Sequence, residues 1–196
     1  MGVLLQNRDD LAGAEPLYRR ALLGFETVYG PEHSYTLDRV INLGALLAAR
    51  GDEAGAEPLY ARWISAQRKR PADPLQYSSN MALLGKFRLK LNRYTDAEEV
   101  LSECLTMRRK QMPDDWRLYN TESMLGGALA GQKRFVEAEP LLISGYEGMK
   151  SREGEMPVPA KSNLSEAVQR LVSLYEAKSE AVQLEKWRRV LNRMVK

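Results

Sequence analysis

The sequence predicts an all-α fold, a solenoid of about five antiparallel helix pairs. A five-residue phrase begins at positions 14, 56, 97 and 138, so it recurs every 41 or 42 residues. A fixed period of this size is typical of stacked repeats, each of which buries its apolar face against its neighbours. The four copies are Ala14–Tyr18, Ala56–Tyr60, Ala97–Leu101 and Ala138–Leu142.

A second phrase, Leu-Gly, keeps the same period and lies 13 residues before the first phrase (56 − 43, 97 − 84 and 138 − 125). It occurs at Leu43-Gly44, Leu84-Gly85 and Leu125-Gly126. A glycine inside a helix costs roughly 1 kcal/mol relative to alanine, so three copies predict a close approach of the paired helix. The matching small positions on that helix are Ala14, Ala56, Ala97 and Ala138.

Each repeat unit is predicted to be a helix, a tight turn and a second helix. In the second unit, apolar residues from Leu37 to Ala48 recur at steps of three and four, and alternation is too weak for strands. Gly51 suits the C-terminal cap of that helix, and Asp52 suits the N-cap of the next one. Prolines of the repeated phrase are expected in about the first turn of the second helix, where a missing N–H does little damage. They are Pro16, Pro58 and Pro140.

Pro-bearing joins divide the chain into five predicted units of a single repeat domain. The units are residues 1–33, 34–73, 74–113, 114–158 and 159–196. The join before the fifth unit is longer than the others, and Ser179 stands where Gly51 stands in the second unit. Counted from Gly131, the interval is 179 − 131 = 48 residues, which predicts an insertion of about seven residues.

The period also predicts that the first unit is truncated. Subtracting 42 from the position of Leu43 leads to Met1, so the sequence opens partway along a first helix. We therefore expect a fragment of a longer protein; the alternative is a native start with a shortened capping helix. A truncated unit leaves apolar surface uncovered, which predicts self-association through this end.

Composition and charge narrow the class of protein. No run of 18 apolar residues is present, so no membrane-spanning helix or membrane partner is expected, and the N-terminus carries no basic-then-apolar secretion signal. The single cysteine cannot form an internal disulfide, which fits a reducing compartment and predicts a cytoplasmic location. With 29 basic and 26 acidic residues, the net charge of +3 predicts no strong field for nucleic acid.

The sequence shows no convergent set of catalytic, metal-binding or cofactor-binding residues, so neither an enzyme activity nor a cofactor is expected. The only histidine, His33, lies in a join with no second ligand beside it, which favours an ordinary loop residue. Cys104 falls on the period at a second-helix packing position, which favours an inert buried thiol. Trp116 does not recur with the period, and we expect it to be a partly exposed contact residue.

Three basic clusters lie at or near the predicted ends of second helices. They are Arg68–Arg70, Arg108–Lys110 and Lys186–Arg189. The helix dipole favours cations at these places. The alternative is a basic edge that meets phosphates or acidic tails, which would make the chain a nucleic-acid-associated or regulator module.

The two phrases and the turn between them resemble the tetratricopeptide repeat. The 42-residue length and the stretch Gly30–Leu37 are similar to the kinesin-light-chain type, whose helices are longer than those of the 34-residue form. The resemblance implies a right-handed superhelical solenoid in which the first helices line the concave side. It also implies a non-catalytic protein-protein interaction scaffold.

A narrower resemblance links the chain to the C-terminal repeats of large bacterial, planctomycete-like serine/threonine protein kinases. It rests on Pro113–Arg117, Leu125–Leu129, Gly145–Lys150 and Leu174–Ala177, followed by Lys186–Arg188. The sequence contains no Gly-rich phosphate loop, no His-Arg-Asp triplet and no Asp-Phe-Gly triplet. This resemblance therefore implies a non-catalytic portion of a larger signalling protein.

Alignment of the units on Leu43-Gly44 predicts which first-helix residues face the concave side. The candidates are Asp38, Asn42, Ser79, Lys86, Asn120, Ser123 and Gln169. The amide groups of Asn42, Asn120 and Gln169 can both donate to and accept from a peptide backbone. Lys86 would select a nearby acid. We expect them to bind an extended peptide or a protein partner; the alternative is a solvated face without a ligand.

Overall fold

The computed structural model describes residues 11–68 and 73–194, and these ranges contain nine α-helices and no strand. The helices are α1 (Leu11–Tyr29), α2 (Ser34–Ala49), α3 (Glu53–Gln67), α4 (Pro74–Lys90), α5 (Tyr94–Gln111), α6 (Trp116–Gly131), α7 (Phe135–Ser151), α8 (Ser162–Ala177) and α9 (Ala181–Met194). Two short 3₁₀ helices, Glu153–Glu155 and Val158–Lys161, lie between α7 and α8. The all-α class predicted from the sequence is confirmed.

The chain divides into two compact parts, an N-terminal part of residues 1–87 and a C-terminal part of residues 88–196. In the N-terminal part, α1 packs on α2 and α2 packs on α3. In the C-terminal part, each helix from α5 to α9 packs on the next one along the chain. Consecutive helices therefore pair within each part, as a helical repeat requires. That all the pairs form a single repeat domain stays a prediction.

Four turns between consecutive helices share one backbone feature, a residue with positive φ. These residues are Gly51 (80°), Asn92 (57°), Lys133 (63°) and Ser179 (57°). The predicted roles of Gly51 and Ser179 are therefore confirmed. Asp52 is the N-cap of α3, as predicted, and its carboxylate accepts a hydrogen bond from the N–H of Gly55 at 2.8 Å.

In the fourth predicted unit, the turn residue with positive φ is Lys133 and not Gly131. The interval to Ser179 is therefore 179 − 133 = 46 residues, so the insertion is about five residues rather than seven. Gly131 is the last residue of α6 and has a different role. A Cβ there would stand 2.4 Å from the Tyr94 ring, so glycine leaves room for that ring. The backbone of Lys133 adopts the left-handed conformation at a cost of roughly 1 kcal/mol.

The prolines of the repeated phrase lie one turn deeper in their helices than the sequence predicts. Pro58 and Pro140 are each the sixth residue of their helix, and Pro16 lies inside the described part of α1. The helices α3 and α7 begin directly after their turns, several residues before the phrase starts. Each proline therefore removes one hydrogen bond from the second turn of its helix.

Glycine allows a close approach of paired helices, as predicted for Gly44 and Gly126. A Cβ on Gly126 would stand 2.7 Å from Cγ of Leu142 and 3.0 Å from the Ala138 carbonyl oxygen, both on α7. A Cβ on Gly44 would stand 3.0 Å from the Tyr60 ring on α3. The cost of glycine in the helix interior is thus offset by contact with the partner helix.

The glutamate of the repeated phrase links its helix to the next helix pair. These ion pairs are Glu15 with Arg50, Glu98 with Arg134, and Glu139 with Lys178. The partners are 35 to 39 residues apart, so each pair bridges about one repeat. Because the side chains are partly exposed, each pair adds little to stability, and the pairs tie each helix to the next repeat. The repeated phrase is therefore a structural element.

Candidate partner-binding face

In the N-terminal part, the predicted face is polar. Asp38 and Asn42 are exposed on α2 and lie four residues apart, so they share one side of the helix. On α4, the Ser79 hydroxyl donates to the Leu75 carbonyl oxygen at 2.8 Å, and Lys86 is half-buried. Binding of a partner by these residues stays a prediction.

In the C-terminal part, α6 and α8 carry the other predicted residues. Gln169 is exposed on α8, and Asn120 is half-buried on α6. Ser123 is fully buried, and its hydroxyl accepts a hydrogen bond from Nη1 of Arg170 at 3.2 Å. The structure thus corrects the placement of Ser123, which does not line the surface because Arg170 of α8 packs against it.

Arg170 is a candidate binding residue that sequence reasoning missed. Its Nη2 donates to the Glu166 carboxylate at 3.2 Å, one turn earlier on α8. Its aliphatic stem lies across α6 at Gly127, where a Cβ would stand 2.9 Å from Cδ of the arginine. The register contained a signal for it, because the offset between the second and fifth units places Arg170 at the position of Asn42 (170 − 128 = 42).

The environment of Arg170 makes it a suitable anion or carbonyl binder. Its side chain is only 16% exposed. Burial lowers the pKa of Arg170, and the charge and hydrogen bond of Glu166 act in the opposite direction. A guanidinium has five N–H donors, so the bonds to Glu166 and Ser123 leave capacity for a further acceptor. A partly dehydrated cation gains more from such an acceptor than a fully hydrated one.

Asn120 adds a hydrogen-bond acceptor one turn before Ser123 on α6. Its Oδ1 is buried and has no hydrogen-bond partner among the described residues. A buried acceptor without a donor costs about 1–3 kcal/mol, so a donor supplied by a ligand would be favourable. Arg170 and Asn120 together offer donors and an acceptor, the two functions that a peptide backbone requires.

Trp116 belongs mainly to the core of the C-terminal part. It is partly buried and packs against a cluster of buried residues, Met149, Met156, Leu164 and Ala167. The Arg117 guanidinium lies 5.0 Å from the centroid of its ring. Partial exposure is therefore confirmed, but the ring is anchored between helices, which weakens the prediction that it contacts a partner.

Several described members of the basic clusters form intramolecular bonds. Arg108 is buried, and its Nη1 donates to the Thr121 hydroxyl at 2.8 Å. Three other members form ion pairs: Arg109 with Glu122, Arg188 with Glu176, and Arg189 with Glu185. Lys69 and Arg70 lie outside the described residues. These bonds favour a stabilising role for the clusters over a basic edge that meets phosphates.

Other candidate chemistry has a structural explanation. No group of three or more His, Cys, Asp or Glu residues in the described ranges could hold a metal ion. Among the helices described, none is long and apolar enough to cross a membrane. Cys104 is fully buried, as predicted, and burial raises the pKa of its thiol. His33 has a local role that the sequence did not suggest, because its Nδ1 accepts from the Tyr35 N–H at 3.2 Å as the N-cap of α2.

Comparison with known proteins identifies the fold. The profile of the tetratricopeptide repeat family matches residues 1–35, and no curated protein sequence matches the chain. The chain is similar to a putative kinesin light chain of Podosopora anserina with nearly identical TPR-like repeats (TM-score 0.69, 13% identity, 93% of this chain and 85% of that one). It is also similar to BtubC (BKLC) from P. vanneervenii (TM-score 0.63, 16% identity, 90% and 70%). A third similar structure is MamA from Desulfovibrio magneticus RS-1 (TM-score 0.52, 19% identity, 92% and 96%).

These likenesses show that the fold is a tetratricopeptide-type helical repeat, similar to that of kinesin-light-chain-like proteins. At identities below 20%, the likeness shows the fold alone and transfers no partner or activity. The resemblance to kinase repeats rests on the sequence phrases alone.

Proposed function

We propose that this chain is a non-catalytic interaction scaffold that binds an extended peptide on its first-helix face. Two observations carry this proposal: Arg170 of α8 is a partly dehydrated cation, and Asn120 of α6 is an unsatisfied acceptor one turn before Ser123, to which Arg170 donates. An extended peptide supplies a carbonyl or carboxylate oxygen for the arginine and an amide N–H for the asparagine. On α2 of the N-terminal part, the exposed Asp38 and Asn42 are proposed as separate polar contacts for a partner.

Selection from a random peptide display library against the immobilised protein tests the proposal. Enriched peptides are synthesised, and their affinities are measured by fluorescence anisotropy. We expect Arg170→Gln and Asn120→Ala each to weaken binding about tenfold, because each removes one hydrogen bond to the peptide. Circular dichroism of both variants confirms that the helices remain folded.

Arg188→Gln is the matched control, because it removes a cation of the same type from α9, outside the proposed face. Its peptide affinity should equal that of the unmodified chain. Unchanged affinity of Arg170→Gln and Asn120→Ala would refute the assignment of this face. Failure to enrich any peptide would argue against peptide binding itself.

We also propose that the chain is the repeat region of a larger bacterial signalling protein, a serine/threonine kinase, located in the cytoplasm. Support comes from the phrases Pro113–Arg117 and Gly145–Lys150 and from the following Lys186–Arg188. The genomic reading frame upstream of Met1 tests this parentage. A kinase catalytic domain is expected there, and a frame that encodes no kinase would contradict the proposal.

A further inference from the structure

The charge of Arg170 is already balanced by a neighbour on its own helix. Nη2 of Arg170 donates to the Glu166 carboxylate at 3.2 Å, and the two residues are one turn apart on α8. The side chains of Arg170 and Glu166 are 16% and 29% exposed, so solvent screens this pair less than it screens a pair on an open surface. Arg117, the only cationic residue of α6, likewise has its own carboxylate, because its Nη1 donates to Asp115 at 2.7 Å. The cationic residues of α6 and α8 therefore present little net positive charge to a ligand.

Glu166 occupies the same place in the fifth unit that Asn120 occupies in the fourth. The turn residues of these units set an offset of 46 residues between them, and 166 − 46 = 120. The Glu166 carboxylate and the buried Oδ1 of Asn120 are both hydrogen-bond acceptors. Arg170 contacts the first acceptor directly and reaches α6 through Ser123, one turn after Asn120. A ligand that binds Arg170 therefore approaches two acceptors as well as one donor group.

The guanidinium of Arg170 is held in place on both sides. Its aliphatic stem lies against α6 at Gly127, with Cδ 2.9 Å from the position of an added Cβ. Nη1 donates to the hydroxyl of Ser123, which is fully buried, and Nη2 donates to Glu166. Movement towards a ligand would break both hydrogen bonds and separate a partly buried ion pair, which is unfavourable. A ligand group is therefore bound with Glu166 still beside the cation.

We propose that Glu166 sets the specificity of this site, which binds an uncharged amide group and rejects a carboxylate. The inference rests on the proposed peptide site and narrows its ligand. An amide, from the peptide backbone or from an Asn or Gln side chain, offers a carbonyl oxygen to Arg170 and an N–H group to the neighbouring acceptors. A carboxylate has no donor, and Glu166, one helical turn from Arg170, repels its charge. Glu166 is therefore a specificity-determining residue that acts against acidic ligands.

Acetate and acetamide are the smallest probes of this preference, because they differ in charge and in N–H donors but hardly in size. NMR titration at constant ionic strength follows the Nε–H signal of Arg170, which is identified by its absence from the spectrum of Arg170→Gln. Acetate should bind the Glu166→Gln variant at least about tenfold more tightly than the unmodified chain, whereas acetamide affinity should change little. Glu176→Gln, the matched control, removes from the same helix the carboxylate that pairs with Arg188, and its acetate affinity should equal that of the unmodified chain. Equal acetate affinity of Glu166→Gln and the unmodified chain would overturn the proposal.

The peptides enriched for the proposed function test the same preference in a full ligand. Each peptide is remade with Asn or with Asp at every position in turn, and affinities are measured by fluorescence anisotropy. At the position that contacts Arg170, Asp should bind the unmodified chain about tenfold more weakly than Asn, and Glu166→Gln should abolish this difference. If no position shows an Asn preference that depends on Glu166, the proposal is wrong even though peptides bind. If no peptide is enriched, the peptide site is wrong, and the acetate titration alone decides the role of Glu166.

Discussion

The helix pairs α2–α3 and α6–α7 share their two repeated phrases but are held together by different atoms. Between α2 and α3, a Cβ on Gly44 would meet the Tyr60 side chain at 3.0 Å. Between α6 and α7, a Cβ on Gly145 would stand 2.6 Å from the backbone nitrogen of Ser123. Position 145 is glycine where α3 has Trp63, two periods earlier. The shared glycines therefore allow a close approach in both pairs, and Gly145, which lies outside the phrases, adds a backbone contact between α6 and α7.

Among the changes that test this comparison, Gly145→Ala should have the largest effect on stability. The new methyl group would overlap the α6 backbone, which cannot move as a flexible side chain can, so the two helices must separate. We expect a loss of about 3 kcal/mol in the free energy of unfolding, at the upper end for overpacking. Urea denaturation followed by far-UV circular dichroism measures it.

Gly44→Ala is the matched control in the looser pair. The gain in helix propensity, about 1 kcal/mol, is offset by a small shift of the Tyr60 ring, so the net change should stay within about 1 kcal/mol. Equal losses for Gly44→Ala and Gly145→Ala would show that the two pairs are equally tight and would overturn the comparison.

The second test uses pH and the ion pairs formed by the repeated glutamate. In the C-terminal part, hydrogen bonds from Lys178 and from the Tyr175 hydroxyl lower the pKa of Glu139. Burial, together with the bond to Glu139, raises the pKa of Tyr175 to about 12. Tyr175 is buried, whereas the Glu15–Arg50 pair of the N-terminal part is partly exposed, and Glu15 also accepts from Arg19.

The sign of the effect follows from the direction of each pKa shift. Stability from Tyr175 is fully present below the unfolded pKa of about 10 and is lost as pH rises towards 12. Stability from Glu139 is present above the unfolded pKa of about 4.3 and is lost as pH falls. We expect Tyr175→Phe to be about 1 kcal/mol less stable than the unmodified chain at pH 8, with a difference that shrinks above pH 10. A constant difference between pH 8 and pH 11 in urea titrations would contradict this account.

The smallest test concerns the helix caps at matching positions of the two parts. His33 caps α2 through a hydrogen bond of 3.2 Å, and Asp115, 82 residues later, caps α6 through one of 2.8 Å. Aspartate accepts more strongly and interacts favourably with the helix dipole. His33→Asp should therefore raise the free energy of unfolding by about 0.5 kcal/mol, measured by urea denaturation.

The reverse change, Asp115→His, should lower stability by a similar amount. His33 also contacts the rings of Tyr29 and Tyr35, with centroids 5.1 Å away in each case. A loss of stability in His33→Asp would show that these ring contacts outweigh the better cap.

The repeat period was sufficient to predict the helix pairs, because capping and small-residue signals such as Gly51, Asp52 and Gly126 act locally. The period could not predict the positive φ of Lys133, because lysine carries no local signal for a left-handed turn. The tertiary fold imposes that conformation. The period misjudged the depth of the prolines because the helices begin at their caps and not at the conserved phrase of the repeat.

The candidate site was predicted less completely than the fold. The register grouped Asn120 with the other candidates of α6, because side chains three and four residues apart share one side of a helix. Binding of a partner by that side stays a prediction. The register assigned Ser123 to the surface, since burial there depends on the rotamer of an arginine 47 residues later in the sequence. Long side chains such as Arg170 cover neighbouring positions in ways that a period cannot predict.

The fully buried position of Cys104 on α5 has a practical consequence. It is the only thiol in the chain, so an alkylating reagent has a single target in the unmodified protein. Reaction requires that α5 separate from its neighbours, and the rate of labelling then reports how often this part of the repeat opens under native conditions. The labelling rate of Cys104 therefore measures local opening around α5, with no added dye or engineered residue.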